Sequence, residues 1–391
     1  MTPFPIWRRS KSLDRFRIRR WLTLLAVGAA LLIGISGCAG GVRPMSWMGL
    51  TIVEEGLVAA DLQQVRLLNV SDAAPLWSFP TDPQKARVGT FYVTPAVDEQ
   101  RVVVASQVPP TGFLGQPKNV VWALDRKTGN ELWQFDDATG QYVEGGALGG
   151  GLFVIGNSDH NVYALDAETG ALRWTFKTGY RVWATPLIVS DTVYIGSMDH
   201  HLYALRLSDG GVRWDFQAGG AFAATPALRN GTLYIGAFDD KLYAIDAQAG
   251  TERWRFASAN WFWGSPLVYA DTVYAVDVSG NVYAVNAETG APVWPQPRPL
   301  ETPVRAGPVL TEDGSRLFVG GQNGTLYALD TKDAFVVWSS ESEGQVLSPP
   351  VVSGSVVYES RIPGTYRIRA LYVDNGRPIW SYPPVAEQPS K

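Results

Sequence analysis

Residues 162–176 read VYALDAETGALRWTF, and copies of this motif run along most of the 391-residue chain. The stretch 202–216 reads LYALRLSDGGVRWDF, and residues 242–256 read LYAIDAQAGTERWRF. Looser copies keep the same order and end on a tryptophan. The eight motif tryptophans, most of them 40 to 44 residues apart, are Trp77, Trp133, Trp174, Trp214, Trp254, Trp294, Trp338 and Trp380. A fixed period of this length is typical of a repeat architecture.

Each repeat contains four short segments rich in Val, Ile, Leu, Tyr and Trp. The upstream half of one copy, residues 184–196, reads ATPLIVSDTVYIG. Pairs such as Asp159-His160 and Ser279-Gly280 separate the segments and are typical of hairpin turns. Four strands in about 40 residues are typical of a propeller blade. We therefore predict an all-β fold, an eight-bladed β-propeller of four-stranded antiparallel blades over residues 46–382, in which the motif tryptophans dock between blades.

The motif resembles the PQQ-type propeller repeat, Ala-x-Asp-x-x-Thr-Gly-x-x-x-Trp, over nearly all of the chain after residue 45. Its glycine permits a tight turn, and its tryptophan is large enough to fill the wedge between neighbouring blades. Several copies depart from the repeat, at Leu67, Ala73, Arg206, Ala334 and Tyr372. Because most departures lie in the first and last copies, ring closure is the part of the fold that the motif defines least.

Composition excludes several classes of site. The single cysteine, Cys38, excludes a disulfide framework and a thiolate zinc site, and three histidines leave little for a histidine metal cluster. His160, His200 and His201 lie in or next to hairpin turns that also contain Asp159 and Asp199, and turn aspartates are common without a metal. We predict no metal site and no catalytic residues.

The N-terminus is typical of an export signal. Seven basic residues lie within the first 20 positions, and an apolar run from Trp21 leads to Ile35-Ser-Gly-Cys38. These last four residues resemble the bacterial lipobox, which implies acylation of Cys38. We predict a lipoprotein signal peptide at 1–37, a lipidated tether at 38–45 and a C-terminal tail at 383–391. The alternative is an uncleaved anchor with an incidental cysteine.

Charge on the remaining chain disfavours nucleic acid. From Cys38 onward 26 basic residues face 36 acidic ones, and an acidic protein repels a phosphate backbone. We therefore expect an exported, monomeric propeller that is lipid-anchored to a bacterial membrane on the extracytoplasmic side, in the periplasm or on the cell surface, and that binds no nucleic acid.

Positions just before the first strand of each blade vary most between copies. In each copy these positions form a triplet, such as 142–144 (YVE), 181–183 (RVW) and 261–263 (WFW). Alternation along the chain predicts that the first and third residue of each triplet face a central funnel. The candidate ligand or partner residues of this funnel are Glu144, Arg181, Trp183, Trp261, Trp263 and Arg305. Aromatic side chains with a few charges suit a bound peptide, strand or flat ligand. The alternative is that these side chains pack on one another and fill the channel.

Two hairpins also deviate from the repeat. The second blade has a long one whose tip contains Phe113 and Leu114, candidates for a partner contact or for packing on the neighbouring blade. The last blade has one with Arg361, Arg367 and Arg369, which we interpret as a solvated basic surface, with an acidic partner as the alternative.

Repeat, lipobox and repeat number together resemble the BamB family of outer-membrane assembly lipoproteins. The resemblance implies a non-catalytic scaffold that binds envelope proteins, among them a barrel-assembly insertase, and needs no cofactor. One alternative is a quinoprotein oxidoreductase that holds pyrroloquinoline quinone (PQQ) at the propeller mouth, since that enzyme class gives the repeat its name. Another is an envelope sensor for a glycan or other ligand.

Overall fold

The computed structural model describes residues 48–110, 115–363 and 367–384. These residues form eight antiparallel blades in a ring, and each blade is built from consecutive strands. The predicted all-β, eight-bladed propeller is therefore confirmed. The signal peptide 1–37, Cys38, the tether 38–45, Phe113, Leu114 and residues 385–391 lie outside the described residues.

Blades one to four contain the first seventeen strands. The strands are, in chain order, β1 (Leu50–Val53), β2 (Gly56–Asp61), β3 (Gln64–Leu68), β4 (Pro75–Phe79), β5 (Thr90–Phe91), β6 (Ala96–Val97), β7 (Arg101–Val108), β8 (Lys118–Asp125), β9 (Glu131–Phe135), β10 (Ala147–Gly149), β11 (Leu152–Gly156), β12 (Asn161–Asp166), β13 (Leu172–Lys177), β14 (Leu187–Val189), β15 (Thr192–Gly196), β16 (His201–Arg206) and β17 (Val212–Gln217). In blade two the innermost strand consists of two pieces, β5 and β6, which both pair with β7.

Blades five to eight contain four strands each. The strands are β18 (Ala227–Arg229), β19 (Thr232–Gly236), β20 (Lys241–Asp246), β21 (Glu252–Ala257), β22 (Leu267–Tyr269), β23 (Thr272–Val276), β24 (Asn281–Asn286), β25 (Arg298–Pro299), β26 (Val309–Leu310), β27 (Arg316–Gly320), β28 (Thr325–Asp330), β29 (Val336–Glu341), β30 (Val351–Ser353), β31 (Val356–Ser360), β32 (Ile368–Tyr372) and β33 (Pro378–Tyr382). Blade six has a short outer strand because Pro295 and Pro297 cannot donate backbone hydrogen bonds to the ladder.

The motif tryptophans lie between blades. Trp174 pairs with Ala164 inside blade three, and its indole Nε1 donates to the Leu207 carbonyl of blade four over 2.8 Å. Each of the other seven makes the same bond to the following blade, at 2.7 to 3.0 Å. The propeller therefore has one repeated joint, in which a buried or half-buried indole and one hydrogen bond connect neighbouring blades.

The motif glycine belongs to the same joint. Gly210 has a φ of +72°, which favours glycine, and a Cβ there would lie 2.6 Å from Cε3 of Trp174. The glycine therefore serves two purposes, since it permits the turn and leaves room for the tryptophan of the preceding blade. Blades one and seven have Ala73 and Ala334 at this position, with φ of +60° and +63°.

Blades eight and one close the ring without exchanging a strand. Trp380 Nε1 donates to the Val70 carbonyl over 2.7 Å, and Ser360 Oγ donates to the Met48 carbonyl over 2.6 Å. Arg367 forms an ion pair with the buried Asp61. The less regular terminal copies thus make the standard joint and add polar contacts to it.

Candidate functional site

One end of the channel, here called the mouth, is built by two kinds of segment. The turn between the second and third strands of a blade lies beside the connection that enters the same blade. Backbone hydrogen bonds join them, from Met198 to Arg181, from Phe238 to Ala221 and from Val278 to Trp261, at 2.9 to 3.0 Å. Turn residues and connection residues of every regular blade therefore meet at the mouth.

Four rings form an aromatic cluster on one side of the mouth, namely Trp183, Phe238, Trp261 and Trp263. The centroid of Trp263 is 6.0 Å from that of Trp183, 6.0 Å from that of Trp261 and 5.6 Å from that of Phe238. Phe238 and Trp261 meet edge to face at 4.4 Å. The rings are half-buried, so they pack on one another and also present surface to the mouth.

Trp183 lies in the connection that enters blade four and Trp263 in the connection that enters blade six, and their rings meet across blade five. The equivalent residue of blade five is Ala223, whose side chain is too small to separate Trp183 from Trp263. Trp183 is further fixed by its Nε1, which donates to Ser158 Oγ over 3.1 Å. The middle residues of these connections, among them Val182 and Phe262, point into the core and are buried.

The two predicted arginines occupy different surroundings. The Arg305 guanidinium lies 5.1 Å from the centroid of Trp263, within the range of a cation–π contact. Arg181 is exposed, and its guanidinium lies 5.6 Å from the centroid of Tyr180, which also contacts His160. Arg305 thus adjoins the aromatic cluster, whereas Arg181 lies on the outer part of the mouth.

Glu144 lies one position deeper than its predicted triplet implied. Ala147 begins the first strand of blade three as Leu187 begins that of blade four, so Val143 is equivalent to Trp183 and Glu144 to Ala184. Placing Glu144 at the third position of the triplet was therefore wrong by one residue. The carboxylate instead lines a cavity on the propeller axis, and burial raises its pKa to about 7.

The axial cavity has a volume of about 50 Å³. Its lining comes from the starts of the innermost strands and includes Thr94, Glu144, Thr185, Thr225, Trp263, Ser265, Arg305 and Ser348. A water molecule needs roughly 10–15 Å³ of such volume, so the cavity holds a few waters. It is far smaller than the roughly 300–1,000 Å³ of an ordinary small-molecule pocket.

The turn aspartates have structural partners. Asp159 accepts a hydrogen bond from the Tyr163 hydroxyl at 2.7 Å, and Asp199 accepts one from Tyr203 at 2.8 Å. His201 Nδ1 lies 2.8 Å from an Asp215 carboxylate oxygen. These side chains stabilise the turns that build the mouth.

Two of the three arginines of the last blade are buried, so they do not form the predicted solvated basic surface, and the partly exposed Arg367 pairs with Asp61. Arg361 is 1% exposed and Arg369 6% exposed, and both pair with the fully buried Glu359. Arg361 also donates to the carbonyls of Gly324 and Ser342 in blade seven. That interpretation was wrong because the hairpin folds over the neighbouring blade, where the Arg361 guanidinium donates to backbone carbonyls.

Phe238 is the one member of the aromatic cluster that the triplet analysis missed. It lies in a turn, and the equivalent turn residues of neighbouring blades are Ser158, Met198 and Val278. An alignment of the turns alone would have found it, because it is the aromatic residue among otherwise non-aromatic equivalents.

The described residues include no helix long and apolar enough to cross a membrane.

Curated relatives align with parts of the chain. The outer membrane protein assembly factor BamB of Shewanella oneidensis is 37% identical over 73 residues, which are 19% of this chain and 18% of that protein. The quinoprotein alcohol dehydrogenase PedH of Pseudomonas putida is 27% identical over 149 residues, 35% of this chain and 23% of that enzyme. The chain thus spans about a fifth of the length of these relatives.

A solved structure shares the fold. The crystal structure of BamB from Moraxella catarrhalis superposes with a TM-score of 0.66 and 20% identity, covering 81% of this chain and 92% of that one. The family model described as outer membrane protein assembly factor BamB matches residues 48–145, 117–225, 199–306 and 278–390. Because these matches together cover nearly the whole propeller, the chain belongs to the BamB family of PQQ-like β-propellers.

Proposed function

We propose that this protein is a non-catalytic, lipid-anchored scaffold that binds a protein partner at its mouth during outer-membrane protein assembly. The chain's membership of the BamB family supports a role in outer-membrane protein assembly. The observation that carries the docking site is the half-buried aromatic cluster on one side of the mouth.

The side chains at the mouth favour binding of a peptide segment from the partner protein. Tryptophan and arginine supply a large share of the energy in protein interfaces, and Trp263 and Arg305 are adjacent here. Surplus acidic residues on the mature chain favour approach of a basic partner. We expect an extended segment with apolar and basic side chains to lie across the cluster, and a barrel-assembly insertase to present it.

Acylation of Cys38 would hold the propeller at the membrane. Two or more acyl chains give stable anchoring, whereas one gives only marginal binding. We expect residues 38–45 to form a short tether between this cysteine and the propeller. The anchor would place the propeller on the extracytoplasmic side of that membrane.

A quinoprotein oxidoreductase is the second candidate, because PedH and related dehydrogenases align with the repeats. The residues of the mouth do not fit its cofactor. The axial cavity of about 50 Å³ is too small for PQQ, a rigid tricyclic molecule. Within residues 48–110, 115–363 and 367–384, no three His, Cys, Asp or Glu side chains are grouped to hold a metal ion beside it.

Affinity purification from detergent-solubilised membranes tests the docking site. The baits are the full chain, a mouth variant with Trp183→Ala, Trp261→Ala and Trp263→Ala, and a rim variant with Leu76→Ala, Leu132→Ala and Leu172→Ala. The three rim leucines are 46–52% exposed on outer strands, so they control for loss of apolar surface. We expect the wild type and the rim variant to recover a barrel-assembly insertase and the mouth variant to lose it.

Three results would contradict the proposal. Equal recovery by both variants would remove the mouth from the interface. Recovery of no envelope protein, with retention on a glycan array, would favour the sensor. Robust PQQ-dependent dye reduction by purified protein would establish an enzyme. Circular dichroism of each bait shows whether a lost interaction reflects unfolding.

A further inference from the structure

The axial cavity contains a carboxylate that neither the repeat nor the proposed docking explains. Glu144 is half-buried, and in the part of the chain that the structure describes its carboxylate has no hydrogen-bond or ion-pair partner. Partial removal of a carboxylate from water is unfavourable without a partner, so such acids are normally paired or bind a cation. The raised pKa of Glu144 has burial as its cause, which agrees with a carboxylate that nothing neutralises.

Hydroxyl side chains line the same cavity as this carboxylate. Five hydroxyl side chains line the same cavity, from blades two, four, five, six and eight, and they are Thr94, Thr185, Thr225, Ser265 and Ser348. The Ser265 hydroxyl is held in place, because its Oγ accepts a hydrogen bond from the Thr225 amide over 3.0 Å. Hard cations prefer carboxylate, hydroxyl, carbonyl and water oxygens, and about 50 Å³ admits such an ion with a few waters.

The charge of the lining decides the class of ion. Arg305 is the other charged residue that lines the cavity, and it enters from blade seven, whereas Glu144 enters from blade three. The guanidinium lies over Trp263, and a guanidinium beside Glu144 would lower the pKa of that acid rather than leave it raised. One carboxylate opposite one guanidinium gives the lining no excess negative charge, which disfavours a divalent ion.

We propose that the axial cavity binds one small monovalent cation, Na⁺ or K⁺, through the Glu144 carboxylate and the surrounding hydroxyl oxygens. The ion contacts residues from several blades at the point where their innermost strands converge. It therefore stabilises the ring from its centre, whichever partner occupies the mouth.

Thermal unfolding of the purified mature chain at pH 8 tests the proposal. We compare NaCl, KCl and N-methyl-D-glucamine chloride at equal ionic strength. Binding of an ion to the folded state raises the melting temperature, by about 2 °C at a tenfold excess over Kd for a chain of this size. We expect NaCl or KCl to raise it in a saturable way, Glu144→Gln to abolish the rise, and Glu168→Gln, an exposed glutamate of the same blade, to keep it.

A second measurement covers the case in which Glu144→Gln does not fold. Wild-type crystals grown with RbCl in place of other salts should show an anomalous peak in the axial cavity beside Glu144. An equal rise in the wild type and Glu144→Gln, or no peak in the cavity, would overturn the site. A response to CaCl₂ or MgCl₂ without one to NaCl or KCl would overturn the monovalent assignment.

Discussion

The indole rings of Trp183 and Trp263 lie 6.0 Å apart, although their chain segments enter blades four and six. This contact depends on Ala223 in the intervening blade and on the closed ring, which brings all the connections to one axis. The same residue type therefore has two roles in this protein. A motif tryptophan joins consecutive blades, whereas Trp183 and Trp263 contact each other across an intervening blade.

We expect substitutions at the two kinds of tryptophan to differ in their effect on stability. Trp174→Ala removes a buried ring and its hydrogen bond to Leu207, and should lower the free energy of unfolding by about 3–5 kcal/mol. Trp183→Ala removes a half-buried ring, and should cost about 1–2 kcal/mol. Urea unfolding of both variants checks this difference, and similar losses would mean that the aromatic cluster is as structural as the joints.

Replacing the glycine at the joint by alanine should destabilise the protein more than replacing a glycine in an open turn. Gly210 and Gly231 share a φ of +72°, but a Cβ at Gly210 would meet the Trp174 ring, whereas a Cβ at Gly231 would have no atom within 4 Å. Gly231→Ala should lower the free energy of unfolding by about 1–2 kcal/mol, because alanine is disfavoured at a left-handed φ. Gly210→Ala should cost about 1–3 kcal/mol more, because the ring must move. Equal losses in urea unfolding would show that the Trp174 ring moves aside without cost.

The repeat predicts the fold because the main contacts within a blade recur at nearly the same spacing. Trp174 and Gly210 follow from the motif alone. The register of Glu144 does not, because the connection into blade three differs from the others and only strand β10 fixes where it ends. Nor does the burial of Arg361, because it depends on how one hairpin of blade eight lies against carbonyls of blade seven. The sequence therefore predicts what each blade contains, and the closed ring decides which variable side chains meet.

Removing the buried Glu359 carboxylate, which pairs with two arginines where blade eight meets blade seven, should strongly destabilise the protein. Arg361 lies 2.7 Å from Glu359, and both side chains are fully buried, with Arg369 at 3.3 Å from the same carboxylate. Glu359→Ala leaves two guanidinium groups without their carboxylate, and should cost about 3–5 kcal/mol. Asp136→Ala breaks the exposed pair with Lys118, and should cost less than about 1 kcal/mol. Chemical denaturation of the two variants gives the comparison, and a small loss for Glu359→Ala would mean that water replaces the pair.

Stability should fall as the pH rises from about 5 to 8, and Glu144 should be a cause. Its pKa rises from the ordinary 4.5 to about 7 on folding, so the folded state holds the proton more tightly than the unfolded chain. The stabilisation is complete below pH 4.5 and is lost as the pH passes 7, with a size of up to about 3 kcal/mol at 1.36 kcal/mol per pKa unit.

The comparison that isolates this effect is the difference between wild type and Glu144→Gln, in which other titrating groups cancel. Asp313, whose pKa hydrogen bonds lower to about 2, stays ionised throughout this range. In N-methyl-D-glucamine chloride, Glu144→Gln should unfold at higher urea concentration than wild type at pH 8, and the gap should close towards pH 5. In NaCl or KCl this difference in urea midpoint at pH 8 should shrink, because a bound cation neutralises the Glu144 carboxylate as a proton does at lower pH. A gap that does not change with pH would show that the carboxylate is solvated in the folded protein.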